Sequence, residues 1–309
     1  MAEAPVHCGA VVVAHDRLDS ARACVASLRR DLAAERILVV LNDPRSVDVD
    51  EVTQLMADAT VLSPVRPMGY GANLNLGVSL VPPEVQFCVL ANDDVVFEAG
   101  SLAHMVDTLA KNAAVAVVGG RLVGSDGSDQ VSVMAFPSAR GELGVAAGVS
   151  RRRRRSPERR AEDPPLLDRA STDAPTVGWV VGAALVVRLQ AFREVHGFDE
   201  DYFLFYEEVD LCWRLCRAGW LVAACTDAPL AHVGRSSIKR DVAVSELRAA
   251  RRTYFRKRLR SHWRPFQVAS AGAFTLGGLQ TLGASVLHPS TAGWRFQALR
   301  RRWENRLFL

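Results

Sequence analysis

The chain has 309 residues, of which 49% are hydrophobic and 23% are charged, and its formal net charge is +4. A chain of this size and composition can bury one substantial core, which favours one α/β unit with appendages and excludes an intrinsically disordered protein. The arginines cluster at residues 151–160 and 248–264, so the basic charge is regional. The cysteines form no CxxC pair and residues 1–14 lack a signal-peptide pattern, so we expect reduced thiols and a cytoplasmic chain.

The first part of the chain alternates short apolar runs with helical patterns. Strands are predicted at 9–14, 37–41, 60–62, 87–91 and 115–118, and helices at 21–32, 49–57 and 102–110. This alternation predicts an α/β fold with a Rossmann-like, mainly parallel sheet flanked by helices.

Residues 125–175 interrupt the alternation. They contain SDGSD and then RRRRRSPERRAEDPP, whose prolines and like charges cannot bury enough apolar surface to become ordered. Because regular elements resume at 178–187, we interpret this segment as a mobile loop inside a catalytic domain of residues 1–240.

The last part of the chain changes character. A helix is predicted at 207–217, with acidic residues in its first turn where the helix dipole favours negative charge. Residues 248–264 are basic with interleaved aromatic residues, and residues 265–294 carry no Lys, Arg, Asp or Glu. We interpret residues 241–309 as a helical extension that associates with a membrane by lying on its surface rather than by spanning it.

Two acidic groups are candidates for chemistry. Asn92, Asp93 and Asp94 follow an apolar strand, at the sheet edge where α/β proteins bind ligands, and their oxygens suit Mg²⁺ or Mn²⁺ on a diphosphate. A helix cap or a turn would produce the same local sequence.

The second group is Glu207, Glu208 and Asp210 beside aromatic residues, which can raise the pKa of a carboxylate toward that of a general base. The alternative is a solvated first turn of a helix.

Two further patterns could bind a metal. His232 stands in PLAHVGRSS and is either a metal ligand or a structural histidine. Cys212 and Cys216 could share a helix face, but two more soft ligands would be needed, so structural cysteines are favoured.

Residues 6–240 resemble the family-2 glycosyltransferases, which are inverting enzymes with the GT-A fold, and in particular their rhamnosyltransferase-like branch. The most specific segment is HGFDEDYFLFYEEVDLCWRLCRAGW at 196–220, which is similar to the branch pattern GGFDExFFxYxEDxDLxxRxxxxGW. The segment RPMGYGANLNLG at 66–77 resembles the family pattern NxGFxxxxNxG.

This resemblance implies roles for individual residues. It implies that Glu208 is the base, with Glu207 as the alternative, and that Asp210 either orients Glu208 or begins the helix. Gly182 and Ala183 would line the acceptor side, and Asp94 and His232 would bind the metal. The residues implied in donor binding are Ala14, His15, Asp16, Arg17, Asn42, Asp43, Gly69, Tyr70, Asn75, Asn92 and Asp93.

The chain departs from the family pattern at three positions. Leu41 stands where the family has the Asp that contacts the nucleotide base, which leaves Asn42 or Asp43 as substitutes. Pro67 replaces the first Asn of the glycine-rich pattern. Glu208 replaces the commoner Asp and lengthens the base by one methylene group.

The resemblance implies a metal-dependent inverting transfer, with Mn²⁺ or Mg²⁺, of L-rhamnose from dTDP-rhamnose onto a polyprenyl-diphosphate-linked saccharide in cell-wall or envelope polysaccharide synthesis. We expect a peripheral protein on the anionic inner face of the plasma membrane, with no nucleic-acid partner; a homo-oligomer stays open. The alternatives are a donor such as a UDP-hexose or UDP-galactofuranose and a non-catalytic nucleotide-binding relative. A pyrophosphorylase is disfavoured because no glycine occurs between Val13 and Gly69.

Overall fold

The computed structural model describes residues 8–15, 18–42, 59–138, 175–233 and 240–259. The chain divides into two compact units. The described part of the first unit comprises residues 8–136 and 175–233 with the gaps named above, and that of the second comprises Pro137, Ser138 and residues 240–259.

The first unit contains an eight-stranded sheet and a separate two-stranded sheet. Its strands are β1 (Cys8–Ala14), β2 (Ile37–Leu41), β3 (Thr60–Leu62), β4 (Phe87–Asn92), β5 (Val95–Phe97), β6 (Val115–Val123), β7 (Val133–Met134), β8 (Trp179–Val180), β9 (Ala184–Arg188) and β10 (Leu221–His232). The order in the large sheet is β3-β2-β1-β4-β9-β6-β10-β5, and β7 pairs with β8.

Most neighbours in the large sheet are parallel. Strands β3, β2, β1 and β4 run parallel to one another, and β10 runs parallel to β6. Strand β9 runs antiparallel to both β4 and β6, and β5 runs antiparallel to β10. The fold class predicted from the sequence, a mainly parallel α/β sheet flanked by helices, is confirmed, whereas the antiparallel direction of β9 was not predicted.

Helices flank the sheet, which explains why its central strands are apolar on both faces. The helices of the first unit are α1 (Leu18–Leu28), α2 (Tyr70–Ser79), α3 (Ser101–Lys111), α4 (Leu189–Glu194) and α5 (Glu207–Arg217), with a short 3₁₀ helix at Ala34–Arg36. All seven residues of β1 and all five of β2 are buried. A strand covered on both faces reads as a continuous hydrophobic run rather than as an alternating one.

Two predicted segments differ from the structure in extent. The glycine-rich segment folds largely as helix α2, and residues 125–138, which were assigned to a mobile loop, form a turn and strand β7. The turn is closed by backbone hydrogen bonds from Gly124 to Ser128 and from Gln130 to Leu122. Residues 139–174 of that loop, and the helix predicted at 49–57, lie outside the described residues.

The described part of the second unit is mainly helix α6 (Arg240–Arg258). Its exposed positions, Val242, Ser245, Ala249, Arg252 and Arg256, recur at helical spacing and form one stripe. Among the described residues, no helix combines the length and apolar character needed to cross a bilayer. The uncharged segment 265–294 lies outside the described residues.

Candidate active site

The carboxyl ends of β1, β2 and β4 meet at one edge of the sheet. The register pairs Ala14 with Leu41 and Val13 with Asn92. The Asn42 N–H donates to the Ala14 carbonyl at 2.8 Å, and the His15 N–H donates to Asp93 Oδ2 at 3.1 Å. Five of the predicted donor-site residues, Ala14, His15, Asn42, Asn92 and Asp93, therefore lie at this edge, and the Asp93 carboxylate holds the first residue after β1.

Asp94 and His232 face each other across two strands. Strand β5 begins directly after Asp94, and its antiparallel pairing places His232 opposite Val95. The Val233 N–H donates to the Asp94 carbonyl at 3.2 Å, and His232 Nε2 lies 3.6 Å from Asp94 Oδ1. The two predicted metal ligands are thus brought together by sheet register.

The chemistry of this pair fits a divalent cation. Asp94 Oδ1 is buried and has no hydrogen-bond partner, and a buried polar atom in that state is costly unless something binds it. A carboxylate oxygen and an imidazole nitrogen are ligands accepted by Mn²⁺. In the part of the chain that the structure describes, no cluster of three or more His, Cys, Asp and Glu side chains has a metal-binding arrangement. Divalent cations bound to phosphates usually take several of their ligands from the substrate and from water.

Glu207 and Glu208 form the first turn of α5. The preceding residues Phe205 and Tyr206 both have left-handed backbone conformations, with φ of 68° and 67°. Such conformations are sparsely populated by non-glycine residues and cost about 1–3 kcal/mol each, so the surrounding fold must enforce them. They turn the chain sharply and start the helix at the two carboxyl groups.

The two carboxyl groups differ in how strongly their pKa is raised. Burial raises the pKa of Glu208 to about 7, although the backbone N–H groups of Glu208, Gly182 and Val209 act to lower it. Glu207 is only 4% exposed, and one oxygen of each carboxyl group, Glu207 Oε2 and Glu208 Oε2, is buried without a hydrogen-bond partner. Burial, followed by the charge of Glu208, raises the pKa of Glu207 well above its ordinary value. Hydrogen bonds to the charged form favour ionisation, so Glu208 ionises first.

Asp210 contacts other residues of its own region. It is fully buried; its Oδ1 accepts from the Tyr202 hydroxyl at 3.1 Å and its Oδ2 from Arg214 Nε at 2.7 Å. The guanidinium of Arg214 also donates to the carbonyls of Val195 and Gly197. These contacts tie α5 to the loop before it and give Asp210 a structural role; its predicted part in catalysis stays a prediction.

Tyr70 connects the two acidic groups. Its hydroxyl donates to the Gly182 carbonyl at 2.9 Å. Its pKa is raised well above the usual value, first by burial and then by the charges of four carboxylates. Those carboxylates are Glu207, Glu208, Asp93 and Asp94. The charges of the strand-end acids and of the helix acids therefore both act on one phenol.

Gly69 and Asn75 hold the loop that precedes α5. A Cβ atom on Gly69 would lie 2.8 Å from the carbonyl oxygen of Phe203, so only glycine permits this approach. The Asn75 side chain accepts from the Phe198 N–H at 2.9 Å and donates to the Phe198 carbonyl at 2.9 Å and to Glu200 at 3.2 Å. Both residues shape the site, and their predicted contacts with the donor stay predictions.

Leu41, one of the three positions that depart from the family pattern, is fully buried in the core. Asn42 Oδ1 accepts from the Met68 N–H at 3.2 Å and from Asn73 Nδ2 at 2.7 Å, so this side chain holds the segment before α2. The remaining predicted donor-site residues, Asp16, Arg17 and Asp43, lie outside the described residues. Asn92 ends β4 and donates its N–H to the Ala183 carbonyl at 2.8 Å, which joins the donor edge to the predicted acceptor side.

Several residues that position the side chains of the site were not predicted from the sequence. Gln130 contacts His232, and Asn73, Tyr202 and Arg214 hold the loops around the acids. The Asp210–Arg214 spacing of four residues on a predicted helix was a usable signal for an ion pair. Nothing in the local sequence of Gln130 indicated its contact, because it depends on the pairing of β6 with β10.

Comparison with solved structures identifies the fold. A mannosyltransferase from Pyrobaculum calidifontis, in complex with GDP-Man and Mn²⁺, superposes with a TM-score of 0.57 over 97% of this chain and 84% of that one, at 13% identity. GalNAc-T7 with UDP, GalNAc and Mn²⁺ superposes with a TM-score of 0.55 over 80% of this chain and 47% of that one, at 12% identity. The fold is the GT-A fold of glycosyltransferases.

Sequence comparison gives the family. The model of glycosyl transferase family 2 matches residues 10–174. An N-acetylglucosaminyl-diphospho-decaprenol L-rhamnosyltransferase of Mycobacterium tuberculosis is 31% identical over 225 residues, which cover 69% of this chain and 72% of that protein. The chain belongs to glycosyl transferase family 2 and is a glycosyltransferase, as the resemblance in the sequence implied.

Proposed function

We propose that this enzyme transfers L-rhamnose from dTDP-rhamnose, with inversion, onto a polyprenyl-diphosphate-linked saccharide in cell-envelope polysaccharide synthesis. The transferred sugar and the acceptor class are supported by the mycobacterial relative, which is named an N-acetylglucosaminyl-diphospho-decaprenol L-rhamnosyltransferase. The observation that carries the proposal is the meeting of two chemically different acidic groups around Tyr70. One suits a cation on a diphosphate, and the other suits a base.

Glu208 is the base in this proposal. A group that takes a proton from a sugar hydroxyl works best when its pKa lies near the operating pH, and burial raises the pKa of Glu208 to about 7. Gly182 packs against this side chain, and a Cβ atom on Gly182 would lie 3.4 Å from Glu208 Cβ. The small residue therefore lets the turn lie directly against the base. Inversion follows if the hydroxyl activated by Glu208 attacks opposite the leaving nucleoside diphosphate.

Asp94 and His232 would hold Mn²⁺ or Mg²⁺, which when bound neutralises the developing charge of the leaving diphosphate. Asp93 accepts a hydrogen bond from the His15 N–H and so fixes the first residue after β1. Burial and the charge of Glu208 raise the pKa of Glu207 well above its ordinary value, so Glu207, beside the base, holds its proton to higher pH than an ordinary glutamate.

A panel of sugar nucleotides tests the proposed donor. Purified protein is incubated with dTDP-rhamnose, UDP-glucose, UDP-galactofuranose or GDP-mannose, with Mn²⁺ and a polyprenyl-diphosphate GlcNAc acceptor, and the product is identified by mass spectrometry. We expect transfer from dTDP-rhamnose alone, with inverted anomeric configuration by NMR. Transfer from a UDP-sugar with none from dTDP-rhamnose would contradict the donor assignment. A lack of turnover with intact nucleotide binding would favour a non-catalytic relative.

We also propose that the enzyme works as a peripheral protein on an anionic membrane surface. The support is the basic character of α6, whose exposed stripe ends in Arg252 and Arg256. Each basic residue near an anionic surface contributes about 1 kcal/mol to binding.

A double variant tests this proposal. Arg252→Gln with Arg256→Gln is expected to weaken binding to phosphatidylglycerol vesicles, measured by sedimentation, by about tenfold or more. The matched control, Arg22→Gln with Arg217→Gln, removes two exposed arginines of the first unit. Equal loss in both double variants would contradict a specific role of α6.

A further inference from the structure

Gln130 lies beside His232 because of the way two strands end. Strand β6 runs parallel to β10, with Leu122 opposite Leu230 and Val123 opposite Ala231. After β6 the chain turns back at Gly124, and the Gln130 N–H donates to the Leu122 carbonyl at 2.9 Å. A Cβ atom on Gly124 would lie 3.2 Å from Gln130 Nε2, so the turn leaves space for this amide.

The chemistry of the contact determines the orientation of the amide. Gln130 Nε2 donates to the backbone carbonyl of His232 at 3.0 Å. A carbonyl oxygen only accepts, so the NH₂ group must face it and Gln130 Oε1 must face the ring. Oε1 lies 2.7 Å from His232 Nδ1. An amide oxygen also only accepts, so Nδ1 must carry the hydrogen.

The other ring nitrogen then has its lone pair available. In a neutral imidazole one nitrogen is a donor and the other an acceptor, so His232 Nε2 presents a lone pair toward Asp94 Oδ1 at 3.6 Å. Oδ1 is buried without a hydrogen-bond partner. Two acceptors facing each other at this distance repel unless a positive species lies between them.

We propose that Gln130 is a positioning residue: it holds His232 in the tautomer protonated at Nδ1 and thereby directs the Nε2 lone pair, together with Asp94 Oδ1, at a divalent cation. The proposal deepens the metal site of the proposed function and rests on it. It adds a residue that lies outside the acidic motifs. In other proteins, groups that hydrogen-bond to the second ring nitrogen of a metal-binding histidine fix the orientation of the ring and the basicity of the ligand.

The tautomer is measurable without any substitution. Metal-free protein labelled with ¹⁵N-histidine is examined by long-range ¹H–¹⁵N correlation at pH 8, where an ordinary histidine is neutral, and His232→Asn assigns the signals. We expect the pattern of a neutral ring protonated at Nδ1. A ring protonated at Nε2, or at both nitrogens, would overturn the proposal whether or not a Gln130 variant folds.

Metal affinity tests the consequence. Mn²⁺ alone is titrated into wild type, Gln130→Leu and Gln130→Glu, and free Mn²⁺ is followed by electron paramagnetic resonance. Removing a group behind a metal ligand typically costs about 10- to 100-fold in affinity, so Gln130→Leu should bind Mn²⁺ at least tenfold more weakly. Gln130→Glu keeps an acceptor for Nδ1 and should stay within about threefold of wild type.

The two ways of failing are distinguishable. Equal Mn²⁺ affinity of wild type and Gln130→Leu, with matching thermal unfolding, would overturn the role of Gln130 and leave the proposed function standing. A His232→Asn protein that binds Mn²⁺ as tightly as wild type would overturn the metal site itself, and with it the proposal.

Discussion

The hydroxyl of Tyr70 donates a hydrogen bond of 2.9 Å to the carbonyl of Gly182, and Gly182 packs directly against the Glu208 side chain. One residue therefore lies between the phenol and the proposed base. By holding the Gly182 carbonyl, the Tyr70 hydroxyl fixes the turn that packs against Glu208. The family pattern that this segment resembles has Phe at this position, and the hydroxyl is an addition in this chain.

Tyr70→Phe is expected to lower kcat about fivefold, because the loss of one hydrogen bond costs about 1 kcal/mol. The KM for the donor should change little, since the hydroxyl contacts protein. Steady-state kinetics with varied donor measures both constants. A raised KM with an unchanged kcat would instead support the donor-binding role that the sequence implied for Tyr70.

The pH dependence of activity follows from the position of Glu208. Burial raises its pKa to about 7, and a base must be ionised to accept a proton. We expect kcat/KM to fall about tenfold per pH unit below pH 7 and to reach a plateau above pH 8. A profile that stays flat down to pH 5, measured with saturating metal, would contradict this assignment.

The stability of the fold should show the opposite trend. Burial raises the folded-state pKa of Glu208 above its ordinary value, so the folded state binds this proton more tightly than the unfolded state. Its contribution to stability is complete below about pH 4.5 and is lost as the pH rises through about 7. Glu208→Gln should therefore raise the melting temperature at pH 8 and have less effect at pH 5. Glu98→Gln, at an exposed position, is the control and should change the melting temperature at neither pH.

Two adjacent residues before the acidic helix should respond oppositely to substitution. His196 has φ of 61° and Gly197 has φ of 66°, and the family pattern has glycine at both positions. His196→Gly should stabilise the protein by about 1 kcal/mol, since it relieves a left-handed non-glycine residue. Gly197→Ala should destabilise it, because the new Cβ would lie 2.5 Å from Asn75 Oδ1. Urea denaturation measures both, and a destabilising His196→Gly would show that the imidazole makes a compensating contact.

The burial of Asp210 predicts a structural role. Removing one partner of a buried ion pair costs about 3–5 kcal/mol, and Asp210 is fully buried against Arg214. Asp210→Ala should lower the free energy of unfolding by about that amount. Asp210→Asn keeps an oxygen acceptor and should fold with kcat/KM within about tenfold of wild type. A loss of more than about 100-fold in a stably folded Asp210→Asn protein would assign Asp210 to catalysis.

The sequence predicted the parallel core well because its strands are covered on both faces. Runs such as those of β1 and β2 are buried throughout and read as strands without any tertiary information. Strand β10 was not predicted, since its exposed Thr226 and Asp227 interrupt any apolar pattern. The direction of β9 also has no local signature, because periodicity reports burial and not strand orientation.

The residues of the candidate site were predictable only where a local sequence motif contains the chemically active side chain. Asp94 and His232 were paired by the resemblance, and the register of β5 with β10 places them together. Gln130 reaches His232 from 102 residues away, and contacts of that kind depend on sheet order. The oxygen of Asn42 is used within the protein, a fact that its position at the end of a strand did not reveal.

The most direct test of the account compares binding with transfer in Glu208→Gln and Glu207→Gln. Binding of dTDP-rhamnose is measured by calorimetry with Mn²⁺, and transfer is measured in a single turnover with the lipid-linked acceptor. We expect Glu208→Gln to bind dTDP-rhamnose within about threefold of wild type. Its transfer of the sugar should be at least about 100-fold slower, which is the usual contribution of a general base. We expect a smaller loss for Glu207→Gln. A Glu208→Gln enzyme with nearly wild-type transfer, beside an inactive Glu207→Gln enzyme, would contradict this account.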